Sequence, residues 1–276
     1  MMKKHLFEYR DAMAVLLCSA ASIFLVACGS STTPPSVYAI TGQLNDTGST
    51  LCSSQDQVQQ ACPQVGLVGQ DAESGRDANK ALKKRGSGVA GFDWTKLNEK
   101  GQPLAQQAVA WADNGSEAAG SRWSCVQDNV TGLIWEMKET NPEHPRYFGH
   151  TYSWWMASEQ LNGGFTYHLS PGQCTQVEPC ETQAYVDWVN RQGLCGYSDW
   201  RLPSIRELVS IAVISSEIPA FDKNYFADTI KPRFFTSQTY AAEPSRAWYV
   251  YFSDGSVSST GKSDASFVRL VRGGQL

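Results

Sequence analysis

Gly196-Tyr-Ser-Asp-Trp-Arg-Leu-Pro-Ser-Ile-Arg-Glu-Leu208 is the stretch on which the reading of the fold turns. Its second half starts a helix. Ser204-x-x-Glu207 is a capping box, in which the serine hydroxyl accepts from the Glu207 N–H and the carboxylate accepts from the Ser204 N–H. Ile205, Leu208, Val209 and Ala212 follow as one apolar stripe. Pro203 disfavours helical geometry in the residue before it, so the chain enters extended through Trp200-Arg-Leu202. In that entry Trp200 turns inward, while Asp199 and Arg201 share the opposite face. An acid and a base so placed form a bracing pair or bond a ligand's hydroxyls, and bracing is the preferred reading.

Downstream, strands are expected over Phe234–Gln238, Ala247–Phe252 and Ser266–Val271, with Ser253-Asp254-Gly255 as a hairpin turn. In the middle strand Trp248, Val250 and Phe252 share one face, and Tyr249 and Tyr251 the other, either open or packed under a helix. Upstream, Thr182 to Arg191 reads as a helix with Thr182 as N-cap, Tyr185, Val186 and Val189 on one side, and Gly193 as its stop. Tyr152 to Leu161 also reads as a helix, with Trp154, Ala157 and Leu161 on one face and Trp155 on another. Asp128-Asn-Val-Thr-Gly132 is a turn, and Leu133 to Met137 alternates as a strand does. With no alternating βαβ period, the class is α+β: small antiparallel sheets with a few packed helices.

The chain has 276 residues, 42% hydrophobic and 18% charged, and a formal net charge of -4. That composition makes a globular domain and gives nucleic acid no basic footprint to bind. Lys3, Lys4 and Arg10 precede an apolar run from about Ala12 to Ala27, which reads as an export signal. Leu25-Val26-Ala27-Cys28 resembles the bacterial lipobox, which makes Cys28 the lipidated residue and the membrane a partner through its acyl chains. The expected organisation is a signal peptide over 1–27, a tether over 28–37, and one domain over 38–276. Residues 38–122 form its loop-rich lead-in and 123–276 its main core. Gly29 after the cysteine points to the outer membrane or the cell surface.

Setting aside Cys18 and Cys28 leaves six cysteines in an oxidising compartment, read as disulfides Cys52–Cys62, Cys174–Cys180 and Cys125–Cys195, among 15 possible connectivities. A zinc site is the weaker reading, because no Cys-x-x-Cys occurs. In the lead-in, Gln70-Asp71 and Gly75-Arg76-Asp77 carry acids at loop-like spacing, either a calcium loop or solvated turns. Solvated turns are preferred, so no cofactor is assigned.

Asp128-Asn-Val-Thr-Gly-Leu-Ile-Trp-Glu136, the Gly196–Leu208 stretch, Ala247-Trp-Tyr-Val-Tyr-Phe-Ser-Asp-Gly255 and Val268-Arg-Leu-Val-Arg-Gly-Gly274 occur in this order. Together they resemble the family named for the C-terminal domain of the Legionella collagen-like adhesin. The resemblance implies an exported or surface-anchored domain of C-type-lectin-like or related fold. For the best-known member it implies an adhesin that binds sulfated glycosaminoglycans and forms trimers. Here no Gly-X-Y period occurs, so a collagen stalk is not carried over. The scattered basic residues are also outnumbered by acids, which disfavours a polysulfated chain and leaves neutral or acidic-face carbohydrate binding open.

No Gly-x-Ser-x-Gly, HExxH or phosphate loop is visible, and His144, His150 and His168 sit in polar sequence as surface residues. The lectin-like folds include a cysteine-based oxidase, whose reactive pair maps onto no motif here. The expectation is therefore a non-catalytic, lectin-like module that binds carbohydrate or another surface ligand. A structural or assembly lipoprotein binding an envelope or host protein is the alternative. Sugar sites stack aromatic rings on pyranose faces beside acids, amides or arginines. Trp155, Asp199, Arg201, Tyr249, Tyr251 and Asp254 are the candidate ligand-binding residues, while Trp135, Trp154, Trp188 and Trp200 are assigned to the core. Glu243-Pro-Ser245 is similar to the Glu-Pro-Asn calcium motif of sugar-binding lectins, but serine replaces the ligand asparagine.

Overall fold

The computed structural model describes residues 45–164, 172–214, 220–227 and 233–273. All of them belong to one unit, Val37–Leu276. The signal, the tether with Cys28, and His168 lie outside the described residues.

The Asp128 turn forms through its carboxylate, whose Oδ1 accepts the Val130 N–H at 2.9 Å while Oδ2 accepts the Thr131 hydroxyl at 2.7 Å. That turn joins β2 (Cys125–Asp128) to β3 (Ile134–Glu136), and β1 (Trp94–Leu97) pairs antiparallel on the other side of β2. Three helices follow, α1 (Glu159–Asn162), α2 (Thr182–Gln192) and α3 (Ile205–Val209). The second sheet is a meander of β4 (Arg233–Thr239), β5 (Arg246–Tyr251) and β6 (Ser256–Gly261). The last strand among the described residues is β7 (Val271–Arg272), which returns to pair with β3 and completes the first sheet as β1-β2-β3-β7. On its way there the chain touches β4 through a Phe234–Phe267 bridge, so this return segment links the two sheets. The result is α+β with small antiparallel sheets.

Strand alternation divides the interior into two hydrophobic clusters. Trp94, Val126, Trp135, Phe234, Val250, Phe252 and Val271 point into one, closed by Leu208 and Ile211 around α3. Leu97, Ile134, Phe235, Ala247 and Leu270 point into the other, together with Tyr185, Val186 and Val189 of α2 and the entry residues Trp200 and Leu202. Disulfides join Cys52 to Cys62, Cys125 to Cys195 and Cys174 to Cys180. The second ties β2 to the turn that follows α2 across 70 residues of sequence.

Several expectations need correcting. Tyr152 to Leu161 is not a helix, because only Glu159–Asn162 is helical. The large side chains of Tyr152, Trp154 and Met156 are buried at every second position, with the small Ser153 also buried and Trp155 only partly so. This is the period of an extended chain, stabilised by backbone bonds from Tyr152 to Ser266 and from Trp154 to Lys262. Thr182 is the first residue of α2 rather than its cap, and its hydroxyl bonds the backbone of Trp155 instead. Ser256–Gly261, given no role from sequence, is a strand. The capping box of α3 is formed, with the Ser204 hydroxyl on the Glu207 N–H and the Glu207 carboxylate on the Ser204 N–H.

Candidate functional site

Helix α2 presents its apolar side to the core through Tyr185, Val186 and Val189. Trp188, assigned to the core from sequence, stands at the edge of that stripe and is only partly buried. It lines two depressions at once. The first, of about 470 Å³, is lined also by Glu99, Lys100, Glu139, His144 and Arg146. Gly193 stops α2 there in left-handed geometry (φ 68°), its N–H returned to Val189 and Asn190. The second depression, of about 280 Å³, is lined by Trp155, Glu178, Gln183, Asp187 and Arg191 as well as Trp188.

Two of the charged groups of the first depression, Glu139 and Arg146, hold each other. Glu139 accepts from Arg146 at 2.9 Å and from Arg122, and Arg146 also donates to the Met137 carbonyl at 2.7 Å. His144 meets the Trp188 indole edge-on with ring centroids 6.4 Å apart, and its Nδ1 accepts the Arg146 N–H at 3.0 Å. Burial first, and then the Arg146 charge, lower its pKa. With Nδ1 the acceptor, the neutral ring carries its proton on Nε2. His150, expected at the surface, is instead buried, with Nε2 3.2 Å from the His144 carbonyl. Behind the depression, Lys138 bonds Glu136 at 3.1 Å and the Tyr185 hydroxyl at 2.7 Å. Burial pulls Lys138 down to about 8, against the opposing charge of Glu136.

The six candidate ligand residues do not converge. Trp155 is partly buried beside α2 in the second depression. Asp199 and Arg201, expected to brace each other, each take another partner. Both Asp199 oxygens accept from Arg272 at 2.9 Å, and the Arg272 guanidinium stacks on Tyr197 at 3.9 Å. Arg201 grips Glu207 with two bonds, of 2.8 and 2.6 Å. The capping carboxylate and the arginine of the motif are thus one unit. Tyr249 packs against the second cluster with Arg233 over its ring at 5.6 Å, and Tyr251 is half-buried on the same strand face. Asp254 caps the following turn, accepting the Ser256 N–H at 2.9 Å.

The lead-in acids do come together. One oxygen from each of Asp46, Asp71 and Asp77 lies within 4.8 Å of the others. A hard divalent cation takes such oxygens, so these are the residues that could hold calcium. They already organise the loop themselves: Asp46 accepts the Arg76 N–H at 2.7 Å, Asp77 accepts the Gly48 N–H at 2.7 Å, and Asp71 accepts from the Thr47 hydroxyl. Burial raises the pKa of Asp77, and the charge of Asp46 adds to the rise.

Sequence reasoning missed Trp188 as a site residue because its neighbours Tyr185 and Val189 are apolar. The available signal was Asp187 and Arg191 flanking it at positions that α2 turns to solvent. No helix among the described residues is long and apolar enough to cross a membrane. No curated protein and no solved structure matches the chain. The family model described as the Lcl C-terminal domain matches residues 124–272, more than half of the sequence, and takes in all of α2 and every strand except β1, which pairs with β2 from upstream of the match. The chain belongs to the Lcl C-terminal domain family.

Proposed function

We propose that this is an exported, lipid-anchored surface protein whose domain, of lectin-like fold, binds a neutral carbohydrate without catalysis at the depressions flanking Trp188. The observation that carries the reading is a half-buried indole shared by two depressions, with a second indole, Trp155, in one of them. Such rings stack on the apolar face of a pyranose. Glu178 offers an acceptor and Arg191 a donor to sugar hydroxyls, while Asp187 and Gln183, bonded to each other at 2.9 Å, keep further polar atoms in the lining. Absence of catalysis is supported by how the reactive groups are engaged. Glu139 is held in two ion pairs, His144 Nδ1 is occupied, and the six cysteines of the domain are in disulfides. Family membership supports the surface adhesin setting, and Cys28 supports the anchor.

The test is a glycan array probed with the full-length protein alongside Trp188→Ala. Binding to neutral glycans that Trp188→Ala loses supports the reading, and silence across neutral polysaccharides overturns it.

A second reading, an envelope lipoprotein that docks a protein partner, is favoured by a different surface. Val58, Val65 and Val68 are 73%, 103% and 83% exposed on and beside the Cys52–Cys62 loop, where residues 49–70 contain no lysine or arginine. Co-purification of one stoichiometric envelope protein, lost in Val65→Asp, would favour this reading.

A further inference from the structure

Lys96 of β1 is a buried cation without an anion. The residue is 2% exposed, and its ammonium donates to the Val109 carbonyl at 2.7 Å. Two aromatic faces complete its surroundings, Trp123 at 4.0 Å and Tyr225 at 5.2 Å from the ring centroids. No carboxylate among the described residues pairs with it. Burying a charge is costly unless it is paired, so an unpaired ammonium held this way is a feature to explain. Burial lowers its pKa, while the charge of Asp222 works the other way.

Lys96 borders a cavity of about 530 Å³ formed by the Arg85–Val89 loop, the Gln107–Ala110 loop, and Asn224 and Tyr225. Two cations, Arg85 and Lys96, are among its lining residues, and no carboxylate is. That is unusual in a chain of net charge -4. The nearest acids are turned to other work. Asp93 accepts the Arg85 and Gly86 N–H groups at 2.7 Å, and Asp222 accepts from Val89 and Asn224 at 3.0 and 3.1 Å. Behind Gly88 lies Trp94, close enough that a Cβ on that glycine would sit 2.7 Å from the indole Cδ1. The buried indole N–H of Trp94 has no acceptor among the described residues. Val89 and Val109 also line the cavity and are 38% and 36% exposed, which gives it an apolar flank open to solvent.

A charged end and an apolar flank in one cavity select one chemistry. We propose that this cavity binds a small organic carboxylate with an apolar body, its carboxylate paired with Lys96 and its body against Val89, Val109 and the Tyr225 ring. The site is built mostly from residues 85–110, upstream of the family-matched span, and is independent of the Trp188 depressions. An ion pair to an ammonium this deeply buried discriminates against a neutral ligand, because the amide brings no charge to pair with it.

The experiment is calorimetric titration of the full chain with hexanoate and benzoate, and with hexanamide and benzamide as neutral counterparts. The expected result is saturable binding of at least one carboxylate, at least tenfold tighter than its amide. Lys96→Met, which keeps the packing of the stem, should weaken that binding at least tenfold, and Ala108→Trp, which fills the cavity from its exposed side, should abolish it. If Lys96→Met fails to fold, Ala108→Trp decides. Equal affinity for acid and amide, no binding of either carboxylate, or unchanged binding in a folded variant would each overturn the proposal.

Discussion

Replacing Arg201 by methionine tests how the Gly196–Leu208 motif holds the fold. Glu207 is fully buried, and its carboxylate takes two bonds from Arg201, at 2.8 and 2.6 Å, and one from the Ser204 N–H at 2.7 Å. Removing Arg201 leaves that charge with the N–H alone. Breaking a buried pair from one side costs roughly 3–5 kcal/mol. The Arg201 side chain is 25% exposed, so water replaces part of the loss and about 2–3 kcal/mol is expected. For a domain of this size that lowers Tm by roughly 4–12 °C. The sign with pH follows from Glu207. Burial opposes its ionisation, but the Arg201 bonds and charge, with Ser204, outweigh burial and hold its pKa below the ordinary value. In the native protein this stability is present above the unfolded glutamate pKa and is lost as pH falls through the lower folded one. In Arg201→Met burial is opposed by Ser204 only, the carboxylate takes up a proton more readily, and the deficit shrinks on acidification. Thermal melts at pH 7 and pH 4, with Glu207→Gln and the double variant completing a cycle, measure this. A loss below about 1 kcal/mol at pH 7, or a deficit equal at the two pH values, would refute the reasoning.

Asp199→Asn removes a pair whose acid side is 57% exposed, so melting should change by less than about 1 kcal/mol and the change should fade with added salt. Cys125→Ser with Cys195→Ser opens a loop of 70 residues, for which chain entropy gives about 4 kcal/mol, against about 3 kcal/mol for Cys52 and Cys62 at a separation of 10. Denaturant titrations should rank the two double variants in that order. Asp128 is driven up to about 6, chiefly by burial, so the folded state binds its proton more tightly than the unfolded chain does. It therefore opposes folding by roughly 3 kcal/mol above pH 6, and the penalty is relieved as pH falls toward the unfolded aspartate value. Asp128→Asn should flatten the slope of stability between pH 4 and 6, read from urea midpoints.

The sequence by itself determined the features whose cause is local. The capping box needs only Ser204 and Glu207 three residues apart, and the Asp128 turn needs only a carboxylate within reach of its own next N–H groups. The α2 span, ended by Gly193, and the β5 strand with its turn at Gly255 are likewise set by neighbours in the chain. Family membership was legible for the same reason, because its four motifs are short runs that contain these devices.

Only the tertiary structure decided matters that depend on distant partners. The run from Tyr152 to Met156 satisfies a helical pattern and an extended one, and backbone groups near Ser266, more than a hundred residues away, select the extended one. Asp199 and Arg201, two residues apart, were expected to pair with each other, yet each finds a more distant counter-ion: Arg272 on β7 for one and the capping glutamate for the other. Trp188 is an apolar residue on an amphipathic helix, and it lines two depressions because of what packs on either side of α2. Periodicity gives the direction of a side chain from its own backbone. Whether that direction ends in core, counter-ion or open depression depends on elements that meet only in the folded chain.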